Sequence, residues 1–215
     1  MDTTTLSELW TSPYTLTVAL MFLSYLLGSI PLALVISRIL QFNDPRESGS
    51  GNAGATNMMR LHGWKPAFIT LLGDIGKGTL CVYFASRLFI NEELNNNISY
   101  SSFNTDLAIS LIAGAVIIGH VYPIFFRFKG GKGVATMLGT MLAASPLLAL
   151  CIFSLWIGLF AVTRVSAKAA LGCAVVTPLL AWLLEQSNMH IWLTCSVLLF
   201  YTHRDNLRSF ISSSN

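Results

Sequence analysis

Charged residues are unusually scarce in this sequence. Only 11% of its 215 residues are Asp, Glu, Lys or Arg, whereas 53% are hydrophobic. Soluble domains carry about 25% charged residues, so the composition excludes an ordinary soluble domain. The low charge and the abundance of apolar side chains together indicate an integral membrane protein.

Cysteine is also rare, and its spacing excludes two kinds of site. The cysteines lie singly within apolar segments, without a CxxC pair and without histidines at metal-ligand spacing. We therefore expect neither a disulfide framework nor a metal ion. No segment has a strand pattern either, which leaves an all-α fold. The four cysteines are Cys81, Cys151, Cys173 and Cys195.

Long apolar runs are what the sequence has in abundance. A helix needs about 20 apolar residues to cross a bilayer, and such runs extend from residue 14 to residue 202. We interpret residues 1–215 as a single domain, a bundle of about seven transmembrane helices. The boundary near Pro146 is the least certain, so six crossings are the alternative. The predicted segments are 14–40, 65–90, 106–126, 133–148, 149–163, 167–186 and 189–202.

The basic residues predict how this bundle is oriented. With seven crossings, every Lys or Arg outside the membrane except Arg87 falls on one side. Cytoplasmic loops carry the excess of Lys and Arg, so that side is expected to face the cytoplasm. The N-terminus then lies outside and the C-terminus inside, as an odd number of crossings requires.

Four clusters on the expected cytoplasmic side combine glycine or other small residues with cations and hydrogen-bonding groups. Consecutive glycines allow backbone N–H groups to form a concave anion site, and lysine and arginine add positive charge. A helix starting after Gly133 would add its positive dipole end. Each cluster alone is equally typical of a flexible connector or a membrane anchor, but four on one face favour a phosphate site. They are "DPRESGSGNAGATNMMR" (44–60), "GDIGKG" (73–78), "GHVYPIFFRFKGGKGVAT" (119–136) and "HRDNLR" (203–208).

Neither common nucleotide motif is satisfied by these clusters. The spacing Gly49-x-Gly51-x-x-Gly54 matches a dinucleotide fingerprint, but that fingerprint must follow a strand in a βαβ unit. A Walker A motif needs Ser or Thr after Gly-Lys, whereas Gly78 and Gly133 occupy that position here. The sequence therefore argues against nucleotide binding.

Ionisable residues inside the apolar segments form a separate group of candidates. Asp74 and Lys77 are three residues apart and so share one face of a helix. We favour a mutual structural pair, with a role near the substrate as the alternative. His120 and His203 are candidates for binding or proton handling, and a structural role is the alternative for each.

The four clusters, together with "GSIPLALVISR" (28–38), resemble the bacterial acyl-phosphate:glycerol-3-phosphate acyltransferases over residues 25–208. The resemblance implies a seven-helix enzyme that moves a fatty acyl group from acyl phosphate to the sn-1 hydroxyl of glycerol 3-phosphate. The products would be lysophosphatidic acid and inorganic phosphate, in the first step of phospholipid synthesis. It implies a site facing the cytoplasm in the bacterial inner membrane, no cofactor, no nucleic acid partner, and an upstream enzyme that supplies acyl phosphate.

The resemblance also implies the site residues, although the chain departs from the family pattern at Thr202, where arginine is usual, and at 163–170. It leaves open which phosphate site holds which substrate, and whether any residue is a general base. The implied catalytic residues are Ser50, Arg60, Lys129, His203 and Asn206. The implied binding residues are Gly49, Gly51, Asn52, Thr56, Asn57, Gly130, Gly131, Lys132 and Gly133, with Asp74, Lys77 and His120 in support.

Two other functions compete with this interpretation. An anion carrier also gathers glycines and broken helices around its substrate, but it predicts repeated halves and a site near the bilayer midplane. An acyltransferase with a thioester donor would need space for a bulky carrier. An assay that supplies glycerol 3-phosphate with either acyl phosphate or acyl-CoA, and measures lysophosphatidic acid, separates all three interpretations.

Overall fold

The computed structural model describes residues 12–96, 103–184 and 189–212. Throughout these ranges the regular secondary structure is helical, and the expected all-α integral membrane class is confirmed. Within the described ranges, five helical segments are long and apolar enough to cross a bilayer, and two shorter apolar helices accompany them. The number of crossings and the orientation of the termini stay predictions. The five are Pro13–Ile39, Trp64–Asn91, Thr105–Phe126, Pro146–Thr163 and Ser166–Leu184, and the shorter ones are Val134–Ala144 and Ile191–Thr202.

Two of the described connections between the helices are long, residues 40–54 and 122–133, and the second contains a 3₁₀ turn at Ile124–Phe126. In chain order the helices are α1 (Pro13–Gly28), α2 (Leu32–Ile39), α3 (Ala55–His62), α4 (Trp64–Asn96), α5 (Thr105–Val121), α6 (Val134–Ala144), α7 (Pro146–Thr163), α8 (Ser166–Leu184), α9 (Met189–Thr202) and α10 (Arg204–Ser212).

One predicted boundary is wrong near proline, and one predicted segment contains a break there. The predicted division between residues 148 and 149 lies instead at Ser145, because Pro146 opens α7. Proline suits the first turn of a helix, where its missing N–H is not needed, and it cannot continue the preceding helix. The segment 14–40, predicted as one crossing, is one apolar span, Pro13–Ile39, but it is broken into α1 and α2 before Pro31 for the same reason.

The break between α1 and α2 leaves backbone carbonyls without helical partners. The ammonium of Lys77 donates to the carbonyl oxygens of Gly28 at 3.1 Å and Ile30 at 3.2 Å. Carbonyls at a helix end need such partners inside a membrane, where water is scarce. A cation from α4 therefore stabilises the interruption in the first segment.

Two clusters predicted as loops or chain ends are partly helical. Residues 55–62 form α3, so Thr56, Asn57 and Arg60 lie on a helix and not in the loop. This helix is short and depends on tertiary packing, which the buried side chain of Met58 provides in a small apolar core. The last cluster does not end the final helix, because α9 stops at Thr202 and α10 follows.

Glycine allows two pairs of helices to pack closely beneath the loops. A Cβ on Gly78 would lie 2.2 Å from the carbonyl oxygen of Thr136, where α4 meets α6. A Cβ on Gly119 would lie 2.3 Å from the carbonyl oxygen of Tyr25, where α5 meets α1. Small residues permit such approaches between membrane helices. The start of α6 is therefore held against α4, and the end of α5 against the end of α1, under the candidate site.

Candidate active site

Asn57 organises the first loop, residues 44–54. Its side-chain oxygen accepts a hydrogen bond from the Ser50 N–H at 2.9 Å, and its amide donates to the carbonyls of Pro45 at 2.7 Å and Ser48 at 3.1 Å. Gly49 has a φ of 66°, a left-handed conformation that suits glycine. The buried amide of Asn57 therefore fixes the backbone conformation on both sides of Gly49. The side chain of Ser50 is exposed to solvent.

Arg46 joins this loop to the second loop, residues 124–133. Its guanidinium contacts both carboxylate oxygens of Asp44, with distances of 2.6 Å from Nη2 and 3.0 Å from Nε. Its Nη1 donates to the carbonyls of Phe126 at 3.2 Å and Lys129 at 3.3 Å. The hydrogen bond from Arg46 lowers the pKa of the Asp44 carboxyl. In the sequence Arg46 stands out only as one of several basic residues, and this contact was not predicted.

The second loop lies directly on the end of α5. The Gly131 N–H donates to the His120 carbonyl at 3.1 Å. A Cβ on Gly131 would lie 2.1 Å from His120 Nε2 and 3.1 Å from the Ala53 carbonyl, so this loop also touches the first one. Gly133 has a φ of 87° and caps α6. The predicted start of a helix after Gly133 is therefore confirmed.

Below this loop, three buried ionisable side chains meet. Lys77 Nζ lies 2.9 Å from Asp74 Oδ1, and His120 Nδ1 lies 3.4 Å from the same oxygen. Each side chain is at most 4% exposed. The predicted contact between Asp74 and Lys77 is confirmed. His120 connects this pair to the glycine turn, because it also lies against Gly131.

The last cluster meets the second loop through Lys132. Its ammonium donates to the side-chain oxygen of Asn206, and its carbonyl accepts from the Thr202 hydroxyl at 3.0 Å. Burial lowers the pKa of Lys132. Thr202, which departs from the family pattern, thus holds the backbone of a predicted site residue.

His203 is buried in this contact region. Its Nδ1 lies 2.9 Å from the Leu199 carbonyl oxygen, which can only accept a hydrogen bond. The proton therefore sits on Nδ1, and the lone pair of a neutral ring sits on Nε2. Burial lowers the pKa of His203 to about 4, so the ring is uncharged at neutral pH.

The remaining predicted residues lie around this junction. The hydroxyl of Thr56 lies 3.4 Å from that of Ser166, which brings the start of α8 beside α3. Arg60 is exposed in the last turn of α3, and Lys129 is exposed on the second loop. The predicted clusters therefore converge, whereas the roles of their individual residues stay predictions.

A comparison with known families decides the class of this protein. A family model described as glycerol-3-phosphate acyltransferase matches residues 18–213. The chain belongs to the glycerol-3-phosphate acyltransferase family. This membership identifies it as an acyltransferase.

Relatives of this acyltransferase match it over most of their length. It is 42% identical over 193 residues to a glycerol-3-phosphate acyltransferase of Methylobacillus flagellatus, covering 89% of this chain and 91% of the relative. It is 43% identical over 194 residues to one of Pseudomonas fluorescens, covering 90% and 95%.

The fold of this acyltransferase is similar to crystal structures of PlsY, an integral membrane glycerol 3-phosphate acyltransferase. The glycerol 3-phosphate form of PlsY aligns with a TM-score of 0.80 at 33% identity, covering 92% of each chain. The lysophosphatidic acid form aligns with a TM-score of 0.77 at 32% identity, again over 92% of each chain.

The site of this acyltransferase combines three chemical properties. The N–H groups of Gly130 and Gly131 donate to the Val121 and His120 carbonyls, so the first N–H groups of α6, after Gly133, are the backbone donors best suited to phosphate. Lys129 and Lys132 supply positive charge beside those groups. The uncharged ring of His203 offers a hydrogen-bond acceptor close to Lys132. Among the described residues no group of three potential metal ligands occurs.

Proposed function

We propose that this enzyme transfers a fatty acyl group from acyl phosphate to the sn-1 hydroxyl of glycerol 3-phosphate. Lysophosphatidic acid and inorganic phosphate are then the products. The observation that carries the proposal is the direct contact between the two glycine-rich loops, through Arg46 and through Gly131 against Ala53. Both substrates carry a phosphate, so such a reaction needs two anion sites side by side.

Each loop has a part in this proposal. The first loop, with Ser50, its glycine backbone and Arg60 on the adjoining helix, binds one phosphate. The second loop binds the other phosphate through Lys129 and the turn Gly130–Gly133. Asn206 holds the ammonium of Lys132 toward the junction, and His203 accepts a hydrogen bond there.

The proposed reaction is a direct displacement. The glycerol hydroxyl oxygen attacks the acyl carbonyl carbon, the bond from that carbon to the phosphate oxygen breaks, and the hydroxyl proton passes to a phosphate oxygen. Acyl phosphate is a mixed anhydride with a good leaving group, so no covalent enzyme intermediate is required. Orientation of the two substrates and stabilisation of the developing negative charge supply the acceleration.

We also propose that the whole chain, residues 1–215, acts as one domain in the bacterial cytoplasmic membrane with its site facing the cytoplasm. The contacts that join the basic clusters support this placement, because basic loops collect on the cytoplasmic side. Both substrates of the proposed reaction are anions that do not cross a bilayer unaided. An upstream enzyme must therefore supply acyl phosphate on the same side.

The donor assay tests the proposal. The purified protein in lipid nanodiscs receives glycerol 3-phosphate with palmitoyl phosphate or with palmitoyl-CoA, and lysophosphatidic acid and inorganic phosphate are measured. With palmitoyl phosphate as the donor we expect equal amounts of lysophosphatidic acid and inorganic phosphate, and with palmitoyl-CoA we expect neither. Product from palmitoyl-CoA alone would overturn the donor assignment, and no product from either would overturn the function.

A matched pair of variants tests the site in the same assay. Lys129→Ala removes an exposed lysine of the second loop, whereas Lys65→Ala removes an exposed lysine beside Trp64 at the start of α4. We expect a large loss of kcat/KM for Lys129→Ala and the wild-type value for Lys65→Ala. Equal values for the two variants would contradict the assignment of the second loop.

A further inference from the structure

Two strained residues precede Lys129 in the second loop. Arg127 has a φ of 58° and Phe128 a φ of 57°, so two consecutive non-glycine residues are left-handed. Residues other than glycine rarely adopt this conformation, because their Cβ approaches the following carbonyl oxygen. Strain of this kind persists only where surrounding contacts enforce it, and it gathers at functional sites.

Arg46 contacts the backbone on both sides of the strained pair. Its Nη1 donates to the carbonyl of Phe126, which precedes the pair, and to the carbonyl of Lys129, which follows it. Its Nε and Nη2 are meanwhile held on the carboxylate of Asp44. A planar guanidinium keeps these donors at set angles, which a flexible lysine ammonium cannot do.

The local hydrogen bonds of the turn are few. The N–H of Phe128 donates to the Pro123 carbonyl at 3.0 Å, and the N–H of Lys129 donates to the Phe126 carbonyl at 3.3 Å. Neither bond reaches beyond Pro123, so neither relates Lys129 to the first loop. That relation comes from Arg46, which is anchored in the first loop by Asp44.

We propose that Arg46 is a positioning residue that clamps this left-handed turn and thereby places Lys129 opposite the first loop. The inference rests on the proposed acyl transfer, in which Lys129 binds a substrate phosphate. Arg46 itself need not touch either substrate, because its guanidinium is occupied by the Asp44 carboxylate and two carbonyls.

The clamp has a distinctive kinetic consequence. Without it, the turn relaxes into less strained conformations, and only a fraction of molecules hold Lys129 in place. A substrate that binds only this fraction shows a proportionally weaker apparent affinity, so a fall to about one tenth raises KM about tenfold. Saturating substrate repopulates the competent form, and kcat therefore changes little.

The experiment removes the clamp and then relieves the strain. Arg46→Gln and Arg46→Lys are assayed for KM and kcat with both substrates, and their thermal unfolding midpoints verify that they fold. Phe128→Gly is then added to Arg46→Gln, because glycine adopts the left-handed conformation readily. The control Phe128→Ala removes the same ring but keeps the conformational cost. We expect a raised KM for one phosphate substrate, restored by Phe128→Gly and not by Phe128→Ala.

Amide hydrogen exchange tests the clamp without catalysis. The N–H groups of Gly130 and Gly131 donate to the Val121 and His120 carbonyls at 3.1 Å each. In Arg46→Gln we expect both amides to exchange faster, and Phe128→Gly should slow them again. If the wild-type protein formed no product in the donor assay, the proposed function would be wrong. The amide exchange rates alone would then test the clamp.

Three results would overturn the proposal. One is an Arg46→Gln enzyme whose KM values and exchange rates match those of the wild type. Another is a fall in kcat with both KM values unchanged. The third is equal recovery with Phe128→Gly and Phe128→Ala.

Discussion

Replacing Gly131 with alanine should slow the enzyme by displacing the second loop. The added Cβ would lie 2.1 Å from His120 Nε2, and the imidazole cannot retreat because it is buried against Asp74. Ordinary contact begins near 3.4 Å, so the loop must move by about 1.3 Å. Misplacement by about 1 Å costs on the order of 100-fold in rate. We therefore expect kcat/KM to fall about 100-fold.

The donor assay in nanodiscs measures this loss, with Gly158→Ala as the matched control. Gly158 lies in α7, where an added Cβ meets no atom within 4 Å, so this variant should retain the wild-type rate. Thermal unfolding of both variants separates a displaced loop from a misfolded protein. If folded Gly131→Ala protein turned over as fast as Gly158→Ala, the steric reasoning would be refuted.

Three further predictions concern stability and pH. Asp74→Asn leaves the buried Lys77 ammonium without its carboxylate, so the free energy of unfolding should fall by about 3–5 kcal/mol; an unchanged denaturation midpoint would contradict the buried ion pair. Gly78→Ala places a Cβ 2.2 Å from a carbonyl oxygen of α6, so the free energy of unfolding should fall by about 1–3 kcal/mol. The control Gly158→Ala should leave it unchanged in the same denaturation experiment. Burial lowers the pKa of His203 from 6.5 to about 4, so between these values the unfolded chain binds the proton and the folded one does not. Stability should therefore fall by up to about 3 kcal/mol as the pH drops through this range, and His203→Gln should show a shallower fall; equal slopes would argue against a buried neutral ring.

Local and periodic features were predictable from the sequence. The apolar runs predicted α8 and α9 to within two residues, because hydropathy over such a length depends on neighbouring residues alone. The helix start after Gly133 was predicted from the glycine turn and the apolar run beyond it. The family resemblance depended in the same way on contiguous motifs.

Interruptions of the pattern were harder to predict. The break before Pro31 was missed because hydropathy averages over a proline within an apolar run, although the proline itself was a visible signal. The helix α3 was missed because its eight residues carry no long apolar stripe, and it depends on the burial of Met58 for stability.

The sequence by itself determined that the chain enters a membrane and to which family it belongs, and it predicted that the loops bind phosphate. Each of these follows from residues adjacent in the chain. Only the tertiary structure showed that Arg46 donates to the backbone of a turn 80 residues away and that the Thr202 hydroxyl donates to the carbonyl of Lys132 across 70 residues. Such contacts depend on how closely the helices pack, and glycines set that distance between elements far apart in the chain.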